Sequence, residues 1–267
     1  MRTTTLKELG YTLPLGIPDG DSLKRDFALR PYTMREEKDI ARKRDLDPSY
    51  PATSIVTDVV ASLLISLGGE DLSDKDEGER VARVLGLFFS DVVYIYMMAR
   101  MEAVGKDVKF PFLCPHCRQA FSFEGDITTT EIDCVDTPGE LEREVDLPVA
   151  WTLRKQQTSR LLLRATPWGS LHGQSVTAVT FKAASFQGSI VGALLAGEDN
   201  PKEEIRRLAI TPMEVDTLTK RNINFLDEQV AKVNAGPSLI VQTQCPRPAC
   251  NQPVRAPLGW DYDTFFG

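Results

Sequence analysis

A chain of 267 residues, 42% of them hydrophobic, is long and apolar enough to fold around a substantial core, which excludes a disordered tail. A formal net charge of −7 speaks against a protein whose main task is to grip phosphate backbones, and no run of about 18 apolar residues offers a membrane span. The opening, Met1-Arg-Thr-Thr-Thr-Leu-Lys-Glu8, carries no apolar signal segment, so the five cysteines are expected to be reduced.

Residues 1 to 31 mix Gly, Pro and short apolar pieces such as Tyr11-Thr-Leu-Pro-Leu-Gly-Ile-Pro18, and read as an extended arm lying along its own body or a partner's. Thr33-Met-Arg-Glu36 is a capping box, which predicts a helix through Asp39, Ile40 and Arg44 that ends at Asp47-Pro-Ser-Tyr-Pro51. Ile55, Val56, Val59, Val60, Leu63 and Leu64 recur at intervals of three and four, predicting an amphipathic helix from Thr53 to Leu67 closed by Gly68-Gly69. The acidic stretch from Glu70 to Glu79 reads as a solvated linker. It leads to a more apolar helix at about Arg80 to Val104, where Val84, Leu85, Phe88, Phe89, Val92, Ile95, Met98 and Met101 fall almost all round. Such a helix belongs at the centre of a core, and its methionines are expected to pack there.

The next stretch is Phe110-Pro-Phe-Leu-Cys114-Pro-His-Cys117-Arg-Gln-Ala-Phe-Ser-Phe123, and Leu239-Ile-Val-Gln-Thr-Gln-Cys245-Pro-Arg-Pro-Ala-Cys250 repeats its plan near the C-terminal end. A strand running into two close cysteines and out again aims two thiolates at one point, and two such turns complete a tetrahedron. Cys114, Cys117, Cys245 and Cys250 are therefore the candidate ligands of one structural zinc ion. About half the chain separates the pairs, whereas an independent zinc ribbon closes over roughly 15 to 20 residues, so the insert must itself be folded. Closing so long a loop costs on the order of 5 kcal/mol. Structural zinc supplies roughly 10 to 16 kcal/mol, so the metal prevails. Two disulfides, or cysteines without metal, are the alternatives. His116 reads as a solvent-facing turn residue, and Cys134 as a free thiol packed like a small hydrophobe. Gly105 precedes Cys114 by as many positions as Gly236 precedes Cys245, and each glycine follows an amphipathic helix, Asp91 to Val104 or Asp216 to Ala235. Each unit thus reads helix, glycine cap, strand, knuckle, strand, which suggests a pseudo-twofold module whose halves each give two ligands.

Between the copies, Glu144 to Arg154 and Ser159 to Arg164 alternate as a hairpin would, with its turn at Lys155-Gln-Gln-Thr158. Residues 176 to 195 are open between strand and helix. Ser189 to Gly197 reads as helical, and Lys202 to Leu208 as a short charged helix. Altogether the fold class expected is α+β, a helical body plus a small antiparallel sheet, with two cysteine-knuckle β-hairpins joined in one zinc-ribbon-like four-cysteine site. The parts fall at 1–31 (arm), 32–105 (helical region), 106–125 (first knuckle hairpin), 126–200 (inserted β-containing region), 201–236 (helical region) and 237–267 (second knuckle hairpin and aromatic tail), forming one composite domain.

No catalytic constellation stands out. With only His116 and His172, neither His-Glu-x-x-His nor Gly-x-Ser-x-Gly is present, and there is no phosphate loop. A zinc closed by four cysteines also lacks the open position that catalysis requires. A zinc-ribbon nucleic-acid adaptor would crowd Lys and Arg around the knuckles. Here only Lys106, Lys109, Arg118, Arg247 and Arg255 lie near in sequence, without interleaved aromatics.

The order of these parts resembles the T4-like bacteriophage baseplate protein family. The corresponding elements are Leu13-Pro14, the Arg-x-Tyr-Thr-x-Arg-Glu-Glu helix at Arg30 to Glu37, an Asp-containing apolar helix ending in Ala-Arg-x-x-x-x-Gly at Asp91 to Gly105, the four cysteines, and Phe265-Phe266. The resemblance implies a structural protein of the baseplate, near the central hub of a contractile phage tail or a related injection particle. Its partners would be other baseplate, hub or tail-tube proteins in a symmetric assembly. It would reside in the virion tail after assembly in the host cytoplasm. An assembly factor absent from the finished particle is the alternative that the resemblance leaves open. Phe265 and Phe266, following Trp260 and Tyr262, are expected to anchor on a neighbour or on the protein itself.

Overall fold

The opening residues lie along the body of their own chain. The computed structural model describes residues 1–174, 178–195, 205–238, 240–257 and 266. Arg2–Thr5 (β1) leads into one helical turn, Leu6–Leu9 (α1), capped by Thr5 and Glu8. Thr12–Asp19 (β2) and Ser22–Leu29 (β3) form a hairpin. Thr33 and Glu36 make the expected capping box of Met34–Leu46 (α2), which ends at Asp47. Ala52–Leu63 (α3) buries the apolar stripe but stops short of the expected Leu67. Leu64–Leu67 is instead a strand (β4), because its backbone pairs with β3, with Phe27 opposite Leu67. Glu70–Asp71 (β5) folds back on it, so the acidic stretch is not all linker.

The long apolar helix is two helices, Glu77–Leu85 (α4) and Phe89–Val104 (α5). Tertiary hydrogen bonds interrupt the ladder there: Trp168 N–H donates to the Leu87 carbonyl and Phe89 N–H to that of Thr166. Asp107–Leu113 (β6) and Ala120–Asp126 (β7) form the first knuckle hairpin, and Glu131–Cys134 (β8) pairs with β1. Glu142–Leu153 (β9) and Gln156–Arg164 (β10) are the predicted hairpin, turning one step earlier, at Arg154-Lys155. Both of those residues take positive φ (50° and 68°), the geometry a tight two-residue turn demands.

Ala178–Ser189 (α6) is a helix, whereas Ile190–Ala193 (β11) is a strand on β10 where a helix was expected; Gly197 and Lys202 lie outside the described residues. Arg206–Arg207 (β12) extends that sheet in place of the expected charged helix. Pro212–Val215 (α7) and Lys220–Val233 (α8) precede Ile240–Gln244 (β13) and Pro253–Pro257 (β14), the second knuckle hairpin.

The chain is therefore α+β, with several small antiparallel sheets rather than one: β2-β3-β4-β5, β12-β11-β10-β9, β1-β8 and the two knuckle hairpins. The larger core gathers on α3 and α5, and every residue of α5 from Ser90 to Arg100 is buried, as its all-round apolarity predicts. A further core lies among β9, β10, α6 and α8. Cys134 is buried in the larger core, where burial pushes its thiol up.

Asp91 joins the opening strand to this core. Fully buried at the start of α5, it accepts the backbone N–H groups of Leu15 (2.8 Å) and Gly16 (3.0 Å). Burial pushes its carboxyl up to about 7, against the downward pull of those N–H groups and of Arg25. The folded value lies above the ordinary 3.8, so the native state holds the proton more tightly, and stability falls as pH rises from about 4 to about 7. Asp91→Asn cannot ionise and should show a smaller loss of stability than the wild type between urea melts at pH 5 and pH 8. An equal loss in both proteins would sink this assignment.

Candidate metal centre

Each cysteine pair sits at the tip of a two-stranded hairpin whose register is continuous to the turn. In the first, Phe110 lies opposite Phe123 and Leu113 opposite Ala120; in the second, Ile240 lies opposite Pro257 and Gln244 opposite Pro253. The tips repeat the same hydrogen bond, Cys114 N–H to the Gln119 carbonyl (3.0 Å) and Cys245 N–H to that of Gln252 (2.9 Å). In both, the residue after the second cysteine takes positive φ, Arg118 at 56° and Asn251 at 41°. This left-handed step turns the chain so that backbone N–H groups face the sulfurs, and it was missed in the sequence because neither position holds glycine.

The two tips meet. Cys114 Sγ lies 3.8 Å from Cys250 Sγ, and Cys117 Sγ lies 3.8 Å from Cys245 Sγ, so each close contact joins one hairpin to the other. All four sulfurs lie within 4.8 Å of one another. All five cysteines are free, and 3.8 Å is far beyond a disulfide bond of about 2.05 Å. Four sulfurs at about 2.3 Å from a central ion would stand about 3.8 Å apart at tetrahedral angles, so the spacing and the donor set fit a thiophilic cation. Cys114 and Cys245 are buried and Cys117 and Cys250 half-buried, with Val254 and Phe121 packed around them.

The backbone N–H of Cys117 favours the Cys114 thiolate and, against burial, brings its thiol down to about 6. The N–H of Arg247 likewise favours the Cys245 thiolate, but burial and the neighbouring sulfurs push that thiol up to about 11. Four adjacent thiolates repel one another, and a bound cation would offset that repulsion.

His116 is exposed and outside the sulfur cluster. Its Nε2 lies 3.3 Å from the Pro253 carbonyl, a second tie between the hairpins. His172 Nδ1 meets Thr57 Oγ1 at 2.9 Å, while Cys134 Sγ faces the Ile132 carbonyl, so each has a structural partner.

The repeated helix and glycine behave differently in the two copies. Gly105 (φ 102°) caps α5, its N–H donating to the Met101 carbonyl. In the second copy Asn234 is the cap, and Gly236 instead lets the chain pass against α5. Its carbonyl accepts the Asp133 N–H (3.0 Å) while Ser238 N–H donates to the Glu131 carbonyl (2.9 Å), so the segment entering the second hairpin is laced to β8. No local signal in the sequence announces this pairing.

The family model described as T4 bacteriophage base plate protein matches residues 11–155, from the opening hairpin through the first knuckle to the β9–β10 turn. No curated protein and no solved structure matches the chain.

Proposed function

Because the chain belongs to the T4 bacteriophage base plate protein family, we propose that it is a structural component near the central hub of a contractile tail, its two halves stapled by one zinc ion. Cys114, Cys117, Cys245 and Cys250 would hold the ion, which supplies cross-linking strength and no open coordination position. The observation that carries the stapled reading is the convergence of four sulfurs from two hairpins far apart in sequence. A staple at that point makes the intervening region a closed loop, so mechanical load on either hairpin is shared by both.

A baseplate protein assembles with other baseplate proteins in the virion tail, and the surface of this chain suits that role. Of the bases near the knuckles, Lys106 is paired with Asp126 (2.8 Å) and Lys109 with Glu124 (2.7 Å), which leaves fewer free charges for a nucleic-acid adaptor. Phe266 stacks on Tyr32 and packs on Tyr96, with ring centroids 5.1 Å apart in each case, so this part of the aromatic tail anchors on its own chain. Trp260, Tyr262 and Phe265 lie outside the described residues.

Quantitative mass spectrometry of purified particles tests the assignment. A fixed ratio of this chain to the tube and sheath proteins is the expected result. Absence from particles, with the chain abundant in the producing cell, would make it an assembly factor instead.

A further inference from the structure

Of the thirteen residues of helix α2 only Glu36 and Ile40 are buried. Ion pairs tie it to the body. Arg30 pairs with Glu36 (2.6 Å), and Lys43 reaches Asp58 (3.0 Å) on α3 and Glu77 (3.4 Å) on α4. The result is a cleft of about 590 Å³ with α3 as its floor and α2 and α4 as its walls.

The charges in this cleft do not balance. Its four acids, Glu36, Asp39, Asp58 and Glu77, are each engaged by Arg30, Arg42 or Lys43. Arg35, Lys38 and Arg80, which also line it, have no acidic partner among the described residues. Arg80 Nε is shut off from solvent and has no hydrogen-bond acceptor, a state that costs free energy unless something supplies one. At the mouth of the cleft Met34 is 62% exposed, an apolar surface beside the three cations.

From this combination of an open cleft, a cation excess in a chain of net charge −7 and an exposed apolar rim, we infer that the cleft docks an acidic segment of a partner protein. Carboxylates of that segment pair with Arg35, Lys38 and Arg80, and an apolar side chain covers Met34 and Val81. The inference rests on the reading that this chain works by assembling with other proteins, and it is independent of the metal.

Zero-length carbodiimide coupling, which joins a lysine only to a carboxylate in contact with it, tests the docking. It is applied both to extracts of producing cells and to purified particles, with the chain itself quantified from peptides outside the cleft. The expected result is Lys38 joined to an Asp or Glu of a different protein, with the yield falling about tenfold when Arg35 and Arg80 are both changed to Ala. Unchanged thermal unfolding of that variant excludes loss of fold as the cause. Lys38 joined only within its own chain, or left open to acetylation in both samples, overturns the inference. So does protection of Lys38 that disappears on nuclease treatment, which assigns the cleft to nucleic acid. Absence of the chain from particles would contradict the baseplate role, while the coupling in extracts still decides the cleft.

Discussion

Cys117→Ser is expected to release the metal and to loosen both hairpins together, although the two lie at opposite ends of the inserted region. A serine hydroxyl is not a ligand for zinc at neutral pH, and three thiolates leave the tetrahedron incomplete. Metal binding is folding free energy at such sites, so the loss should be of the order of 5 kcal/mol or more, with the loop-closure cost no longer offset. The measurement is thiol alkylation followed over time by mass spectrometry. In the wild type, Cys114, Cys117, Cys245 and Cys250 should all be protected. In the variant, the remaining three should react together, because each close sulfur contact crosses between the hairpins. Cys134 serves as an internal control, since it is buried in the larger core rather than held by the cluster. Continued protection of Cys245 and Cys250 in the variant would show that the pairs do not share one site.

Gly236→Ala should be strongly destabilising. At φ 146° the backbone already disfavours any side chain, and a Cβ there would stand 2.4 Å from Ser90 Cβ and 2.8 Å from Ser90 Oγ. Ser90 cannot retreat, because it is buried in the first turn of α5, with its hydroxyl donating to the Asn234 carbonyl (3.3 Å). Asn234 is fixed in turn: its Oδ1 accepts the Thr166 N–H (2.7 Å) and its Nδ2 donates to Thr166 Oγ1 (2.8 Å). Backbone strain and overpacking together should cost about 3 kcal/mol or more. Adding Ser90→Gly removes the clash and leaves the strained φ, so the double variant should recover part of the loss in chemical denaturation. Strict additivity of the two single changes would show that the close approach does not govern the energy. Because Gly236 leads directly to the second hairpin, Gly236→Ala should also speed alkylation of Cys245 and Cys250.

What could be read in the sequence was mostly local. The capping box at Thr33 and Glu36, the apolarity of Val92 to Met98, and the two cysteine turns each carry their cause within a few residues, and the structure contains them. Errors arose where distant backbone groups decided the outcome. The apolar period of α3 runs unbroken into Leu64, yet pairing with β3 takes residues 64 to 67 as a strand. Ile190 to Ala193 is expected to be helical as part of the apolar run to Gly197, yet its β-branched Ile190 and Val191 suit a strand and β10 offers it an edge. Within the apolar stretch from Val84 to Met101 the local mark of the break is Gly86, the C-cap of α4; Leu87, Phe88 and Phe89 are as hydrophobic as a helix interior, and residues 166 to 168 bond the Leu87 carbonyl and the Phe89 N–H. For the metal centre, the ligand candidates were legible from spacing alone. The lacing of residues 236 to 238 onto β8, which carries the second hairpin to the first, was not.

Native mass spectrometry of the chain, purified without chelator, tests the central claim most directly. A single species heavier than the polypeptide by one zinc ion, with four thiols that become reactive together only when the ion is removed, is the result this account predicts. A folded chain that carries no metal in zinc-replete buffer, or one whose four cysteines are joined as disulfides, would contradict it.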